Sequence, residues 1–226
     1  MSLIHNANVV RDGLVLYLDA ANPKSYPGSG TTWYDLSGNG NHGTLTNGPT
    51  YSSDNKGYIS LDGLDDYING PLVSGLGNSI TVEMCINLTS SMSNRIFFGI
   101  DTNDHASLGI FLNADSTSWY WNTGDSYNTP FSNIPSVLIS YWYNITISTS
   151  LANNNAKLYS NSIFIGTSNY KNTVTSGVGD KYQIGRYFNN AYWAPVKYSI
   201  FKIYNRALSA EEITQNFEAT RGRYSI

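Results

Sequence analysis

The segment Tyr204-Asn-Arg-Ala-Leu-Ser-Ala-Glu-Glu-Ile213 holds the clearest helix start in the chain, and nearly everything before it reads as strand and turn. Ser209 is placed to cap a helix with its hydroxyl while Glu212, three residues on, reaches back to the Ser209 amide, which is a capping box. Leu208 and Ile213 flank the cap as a hydrophobic staple. Ile213 and Phe217 are four apart and share a face, so the helix is expected to lay that face on a β body and leave Glu211, Gln215 and Glu218 in water. One short capped helix closing an all-β body is a clasp, a stability device with no chemistry of its own.

Outward from this clasp the chain is a series of short apolar runs separated by turn residues. The clearest strand is Ile80–Leu88, in which Ile80, Val82, Met84, Ile86 and Leu88 alternate with Thr81, Glu83, Cys85 and Asn87, so one face is expected in the core and the other wet or lightly covered. Leu14–Leu18, Arg95–Ile100, Leu108–Leu112, Ser118–Asn122, Leu138–Ser148, Tyr182–Arg186 and Tyr198–Tyr204 read as further strands. Tyr58–Ile68 reads as a hairpin around Asp62-Gly63, and Lys157–Ile165 as a hairpin turning near Asn161. The glycine- and asparagine-rich stretch from Thr31 to Thr50 is a loop shaped by backbone demands. Many short strands at regular spacing predict a two-sheet sandwich or barrel, and no linker divides the 226 residues.

Composition narrows the partners. Charged residues make up 13% of the chain, about half the usual share, while 14% are aromatic, so the surface is finished with Asn, Ser, Thr and Tyr and suits sugars or proteins. A net charge of −3 without a basic run removes the attraction that nucleic-acid binding needs. The single Cys85 leaves no disulfide within the chain. No stretch is apolar for long enough to insert in a membrane, and Met1–Asn8 lacks the features of a signal peptide. The expectation is synthesis in a cytoplasm and, for any role outside cells, assembly into a particle released by lysis.

The run LDGLDDYI at Leu61–Ile68, the strand ITVEMCINL, the strands around Trp142 and Leu158-Tyr159, and the closing IYNRALSAEEI occur in an order that resembles the laminin-G-like, concanavalin A-like jelly-roll domains. The resemblance runs from about Gly13 to Phe217. It implies an all-β, two-sheet antiparallel jelly-roll sandwich with one short C-terminal helix, occupying residues 13–226. Residues 1–12, with Leu3, Ile4, Val9 and Val10, are then expected to pack on a neighbouring subunit or anchor protein. A narrower likeness lies in the opening GLVLYLDAANPKSYPGSGTTWYDLSGNGNHGTLTNGPTY and the ending FEATRGRYSI, which are similar to versions of this domain in structural proteins of tailed bacteriophages. That likeness implies a virion-surface protein (capsid decoration, head fibre or tail fibre) made in the host cytoplasm. Its partners would be other virion proteins, further copies of itself and host-surface glycans. The chain departs from the family at Cys85, where Trp is usual, at Ser160-Asn-Ser162, where the turn is usually Asn-Gly, and at Val196-Lys-Tyr-Ser199, where a Gly and an acidic residue are frequent.

Glucanases of this fold carry Glu-x-Asp-x-x-Glu on one strand, and a retaining mechanism needs two carboxylates ~5–5.5 Å apart. The corresponding strand here reads Glu83-Met-Cys-Ile-Asn-Leu88 and supplies one acid. No catalytic residue is therefore assigned and the protein is expected not to be an enzyme. No cofactor is required, although two clusters could offer calcium oxygen ligands: Asp62, Asp65 and Asp66, and Asp35 with Ser37, Asn39 and Asn41. Turn chemistry is the competing use of both. His5, His42 and His105 are scattered and support neither zinc nor histidine catalysis. Sugar binding needs aromatic faces beside amides or hydroxyls, and Trp119, Trp121, Tyr127, Tyr187, Asn189, Tyr192 and Trp193 are the candidates, with packing as their alternative use. Trp33 and Trp142 are expected in the core. The alternative functions are a free carbohydrate-binding lectin module and, with less behind it, a glycan hydrolase.

Overall fold

The computed structural model describes residues 8–77, 79–90, 95–102, 105–112, 119–123, 126, 127, 131, 139–169, 181–186, 193–224 and 226, and for most of the stretch 95–127 the backbone alone. The first part of the chain forms β1 (Leu14–Asp19), β2 (Thr32–Trp33), β3 (Gly43–Thr46), β4 (Thr50–Ser52), β5 (Tyr58–Asp62) and β6 (Tyr67–Gly70). The middle forms β7 (Thr81–Leu88), β8 (Arg95–Thr102), β9 (His105–Leu112), β10 (Trp119–Thr123) and β11 (Ser126–Tyr127). The last part supplies β12 (Trp142–Ser150), β13 (Asn155–Ser160), β14 (Ile163–Asn169), β15 (Tyr182–Ile184) and β16 (Pro195–Tyr204), then the helix α1 (Ala210–Glu218).

These strands make two antiparallel sheets. The first runs β14-β13-β12-β7-β16-β5-β4, with β1 also paired to β16, and the second runs β11-β10-β9-β8-β15-β6-β3-β2. Ile59, Leu61, Val82, Met84, Phe201 and Ile203 of the first sheet meet Ile68, Phe97, Phe98 and Ile184 of the second in one buried core. Phe98 and Phe201 touch across the layers with ring centroids 5.0 Å apart, and the Tyr198 hydroxyl donates to the Phe97 carbonyl at 2.8 Å. Trp33 is fully buried and Trp142 is 8% exposed, as expected of core residues.

The alternating strand β7 is buried on both faces, so of the two conditions expected for its second face, wet or lightly covered, the structure shows cover. Thr81, Glu83, Cys85 and Asn87 are all at most 5% exposed. Their face carries a second core, in which Val10, Leu14, Tyr17, Cys85, Ile200, Tyr204, Leu208, Ile213 and Tyr224 pack together beneath α1 and the two chain ends. The clasp therefore roofs the part of the sheet's back formed by β1, β7 and β16. Its cap is the box read from the sequence: Glu212 donates its amide to the Ser209 hydroxyl at 3.3 Å, and the Ser209 amide donates to the Glu212 carboxylate at 2.9 Å. Arg206 adds two bonds to the same carboxylate, at 2.6 and 2.8 Å.

Three readings change. Tyr58–Ile68 is no hairpin, because β5 pairs with β16 and β4 in the first sheet while β6 pairs with β15 and β3 in the second. The turn at Asp62–Asp66 thus carries the chain from one sheet to the other, and Leu61 and Ile68 meet in the shared core. The strand expected from Leu138 begins only at Trp142: Ser140 takes φ 68°, and Ile139 and Tyr141 are 39% and 60% exposed. Val10, expected on a neighbouring subunit, is used inside the chain, its amide donating to Asn216 Oδ1 at 2.8 Å; Leu3 and Ile4 lie outside the described residues. The β13–β14 hairpin does turn at Asn161-Ser162, with φ 51° and 63°.

Candidate functional site

Beneath the clasp lies a buried polar network. Lys202 on β16 stands opposite Glu83 on β7, and its ammonium donates to Glu83 Oε1 at 2.8 Å with both side chains at most 1% exposed. Asn144 donates to the same oxygen at 3.0 Å, and Asn216 of α1 donates to Oε2 at 2.8 Å. A carboxylate so enclosed cannot reach a sugar, so the position that resembles the glucanase strand serves packing here. Asn87 and Asn144 are likewise buried. Cys85 is 1% exposed, and burial holds its thiol well above the ordinary range.

The loop candidate for calcium is closed by its own hydrogen bonds. Asp35 Oδ1 accepts from the amides of Tyr17 and Ser37 at 2.8 and 2.9 Å, and Oδ2 accepts from the Ser37 hydroxyl and the Asn41 amide at 2.7 and 3.0 Å. Asn39 turns its NH₂ toward the Leu14 carbonyl at 3.2 Å. Four donors fill the carboxylate's acceptor sites, and Asn39 presents hydrogens, so this group knots the loop onto β1 and does not fit a cation.

At the sheet-crossing turn, Asp62, Asp65 and Asp66 place one oxygen each within 4.8 Å of one another. Asp62 Oδ1 already accepts from the amides of Leu64, Asp65 and Asp66 at 2.8, 3.3 and 3.4 Å, and Asp66 Oδ2 accepts from the Asp62 amide at 3.2 Å. The turn thus uses one oxygen each of Asp62 and Asp66 for its own amides. Burial pushes the Asp62 carboxyl up, yet the amides outweigh it and leave it below the ordinary value. Asp66 moves up, through burial first and then repulsion from Asp62 and Asp65, against the lowering bond from the Asp62 amide.

The two carboxyls therefore have opposite linkage. A carboxyl depressed by folding adds stability above its unfolded pKa of about 3.9 and loses it as pH falls through the folded value. One that is raised costs stability once pH climbs through its folded value. Asp62→Asn is expected to lower the melting temperature at pH 7 and to flatten the acid side of the stability curve, while Asp66→Asn raises it slightly at pH 7. Thermal melts at pH 7 and pH 3 check both; shifts of the same sign at pH 7 would contradict the assignment.

The structure does assemble one aromatic rim. Tyr67 opens β6, Arg186 follows β15, and Trp193 precedes β16. The Arg186 guanidinium carbon lies 3.5 Å from the Tyr67 ring centroid and 5.5 Å from that of Trp193, and the two rings are 5.8 Å apart at 55°. Arg186 Nε donates to Gln183 Oε1 at 2.8 Å, and a bond of 2.8 Å from the Ala194 amide to the Gly185 carbonyl fixes the two arms together. All three rim residues are half-buried. Of the glycan candidates, the rim takes in Trp193. Trp119 and Trp121 lie on β10 and Tyr127 on β11 at the free edge of the second sheet, with side chains outside the description; Tyr187, Asn189 and Tyr192 lie outside the described residues. Tyr67 and Arg186 are not among the sequence candidates, Tyr67 because it sits in a strand-like run and Arg186 because it is not aromatic, although it directly precedes Tyr187.

Residues 61–214 match the family profile described as the concanavalin A-like lectin/glucanases superfamily. Among solved structures, the chain is similar to the receptor-binding domain of botulinum neurotoxin C/D mosaic serotype, with a TM-score of 0.72 at 15% identity over 92% of this chain and 52% of that one. It is also similar to Trypanosoma rangeli sialidase, with a TM-score of 0.66 at 15% identity over 95% of this chain and 34% of that one. A mutant of that sialidase displaying trans-sialidase activity gives 0.68 at 15% identity, over 96% and 34%. The chain thus spans a third to a half of these proteins, and at such identity the likeness is one of fold alone. No curated protein matches its sequence. With the matched residues covering most of the two sheets and the start of the clasp, the chain belongs to the concanavalin A-like lectin/glucanases superfamily.

Proposed function

We propose that the chain is a non-enzymatic surface domain that contacts saccharides through the Tyr67–Arg186–Trp193 rim while displayed on a virion of tailed-phage type. The observation that carries the glycan half is the half-buried Tyr67–Trp193 ring pair, with Arg186 stacked beside it. Ring faces take the apolar side of a pyranose and the polar groups take its hydroxyls. The botulinum neurotoxin receptor-binding domain uses the same fold, which supports an attachment role as analogy.

The particle half rests on the likeness of the opening and ending segments to phage structural proteins. In the fold those segments hold each other, since Arg223 of the ending donates to both Asp19 oxygens at 2.7 and 2.8 Å. Tyr141, Ile163 and Phe164, 60%, 67% and 52% exposed, supply apolar surface suited to neighbouring virion proteins or further copies of the chain. The second reading is a free lectin module, favoured by the rim alone. Mass spectrometry of purified particles separates the two.

Glycan-array binding by the intact chain tests the shared claim. Trp193→Ala is expected to weaken array binding by about tenfold or more, the loss of one stacking face, with the melting temperature nearly unchanged. The contact needs no cofactor, so chelation of calcium leaves it intact. An array on which the wild-type chain binds nothing overturns the glycan half.

A further inference from the structure

We infer that the chain carries a second saccharide contact, separate from the rim, on the back of the first sheet beside the clasp, and that it takes a neutral sugar. Ser60, Lys197, Asn87 and Trp142 stand opposite one another across β5, β16, β7 and β12. Their strand neighbours Leu61, Val196 and Ile86 pack in the inner core, so this row points outward. Further along the same strands, beneath the clasp, Glu83 bonds both Lys202 and Asn144. In the row the polar groups lack such partners. Asn87 is 5% exposed, yet its side-chain amide reaches the surface without a hydrogen bond to any described residue. The Lys197 ammonium forms no ion pair with the described residues and lies 4.9 Å from the Tyr58 ring centroid. Buried amides are ordinarily bonded, so one left open at the surface is a place for a partner from outside the chain.

The surroundings define that partner. Tyr58 and Trp142 border the row with ring centroids 5.8 Å apart, and Tyr224 packs on the indole at 5.0 Å. Half-buried Tyr58 thus offers aromatic surface beside an open amide and an ammonium, the set that the apolar side and the hydroxyls of a sugar require. Asp62, exposed on β5 two residues beyond Ser60, brings a negative charge to the same face. With Lys197 and Asp62 together there, the row has no net attraction for an acidic sugar over a neutral one.

The test uses the whole chain, isotopically labelled and titrated with maltohexaose, cellohexaose, chitohexaose, mannohexaose and an oligogalacturonate, while NMR follows the Asn87 side-chain amide and the Trp142 and Trp193 indoles. At least one of the four neutral oligosaccharides is expected to move the Asn87 and Trp142 signals to saturation. Asn87→Leu removes an amide without a protein partner, and it and Lys197→Met should each weaken the response at Trp142 by about tenfold, leaving the response at Trp193 unchanged; the Lys197 variant answers the question if the Asn87 one fails to fold. Trp193→Ala should leave the response at Asn87 as in the wild type. A response at Trp193 alone, or one at Asn87 that disappears in Trp193→Ala, overturns the inference and leaves the rim standing. No response at Asn87 to any neutral oligosaccharide, or a stronger one to the oligogalacturonate, overturns it as well, and the glycan array decides the rim by itself.

Discussion

Lys202→Met is expected to lower the stability of the chain by about 3–5 kcal/mol, because it leaves the Glu83 carboxylate buried without its cation. Lys202 and Glu83 face each other across β16 and β7 with both side chains at most 1% exposed. Asn144 and Asn216 would still donate to the carboxylate, yet neutral amides do not replace a cation at 2.8 Å. Removing both charges is a different matter, since buried pairs exchanged for neutral residues of similar volume are often near neutral. Glu83→Gln combined with Lys202→Met should therefore recover about half or more of the loss. Guanidinium denaturation of the two single variants and the double closes the cycle. A Lys202→Met chain within about 1 kcal/mol of wild type would show that the carboxylate is relieved by some other route.

The same network explains what could be read beforehand. The clasp was legible because its signals are local: Ser209 and Glu212 are three residues apart, Ile213 and Phe217 four. Its load was not. Asn216 stands one residue from Phe217 on the buried face, a polar residue where an apolar one belongs, and Lys202 interrupts an apolar strand in the same way. Each alone looks like an exception. They explain one another only once β7 and β16 are known to pair, and the two charged residues are 119 positions apart. The choice between a wet and a covered second face of β7 stayed open for this reason: alternation shows that two faces differ, and it does not show whether the polar one meets water.

The hairpin reading of Tyr58–Ile68 failed. Two short strands around Asp62-Gly63 give the same alternation whether they pair with each other or part into two sheets, and the deciding contacts lie with β16 and β15. The candidate site shares this limit. Trp193 was visible as an aromatic residue near a loop, whereas Tyr67 and Arg186 come together only through the pairing of β6 with β15. The sandwich itself was legible throughout, because strand spacing and turn residues are properties of the chain taken piece by piece.

Gly57→Ala carries the second large effect, with an expected loss of about 2–5 kcal/mol. Gly57 takes φ 134° and ψ 134°, a conformation that residues with a Cβ avoid. A Cβ there would also lie 2.5 Å from the Ala20 carbonyl oxygen and 2.9 Å from its carbon. Those are backbone atoms and cannot step aside, since the Ala20 amide donates to the Ser199 carbonyl at 2.8 Å and the Ser199 hydroxyl donates to the Gly57 carbonyl at 2.6 Å. The strain would be passed straight to the end of β1 and its join with β16. Gly40 separates the two contributions: it has φ 75° with nothing within 4 Å of the added atom, so Gly40→Ala should cost only the backbone part, about 1–2 kcal/mol. Equal losses for the two variants in denaturant melts would mean that the contact with Ala20 is relieved and the conformation alone sets the cost.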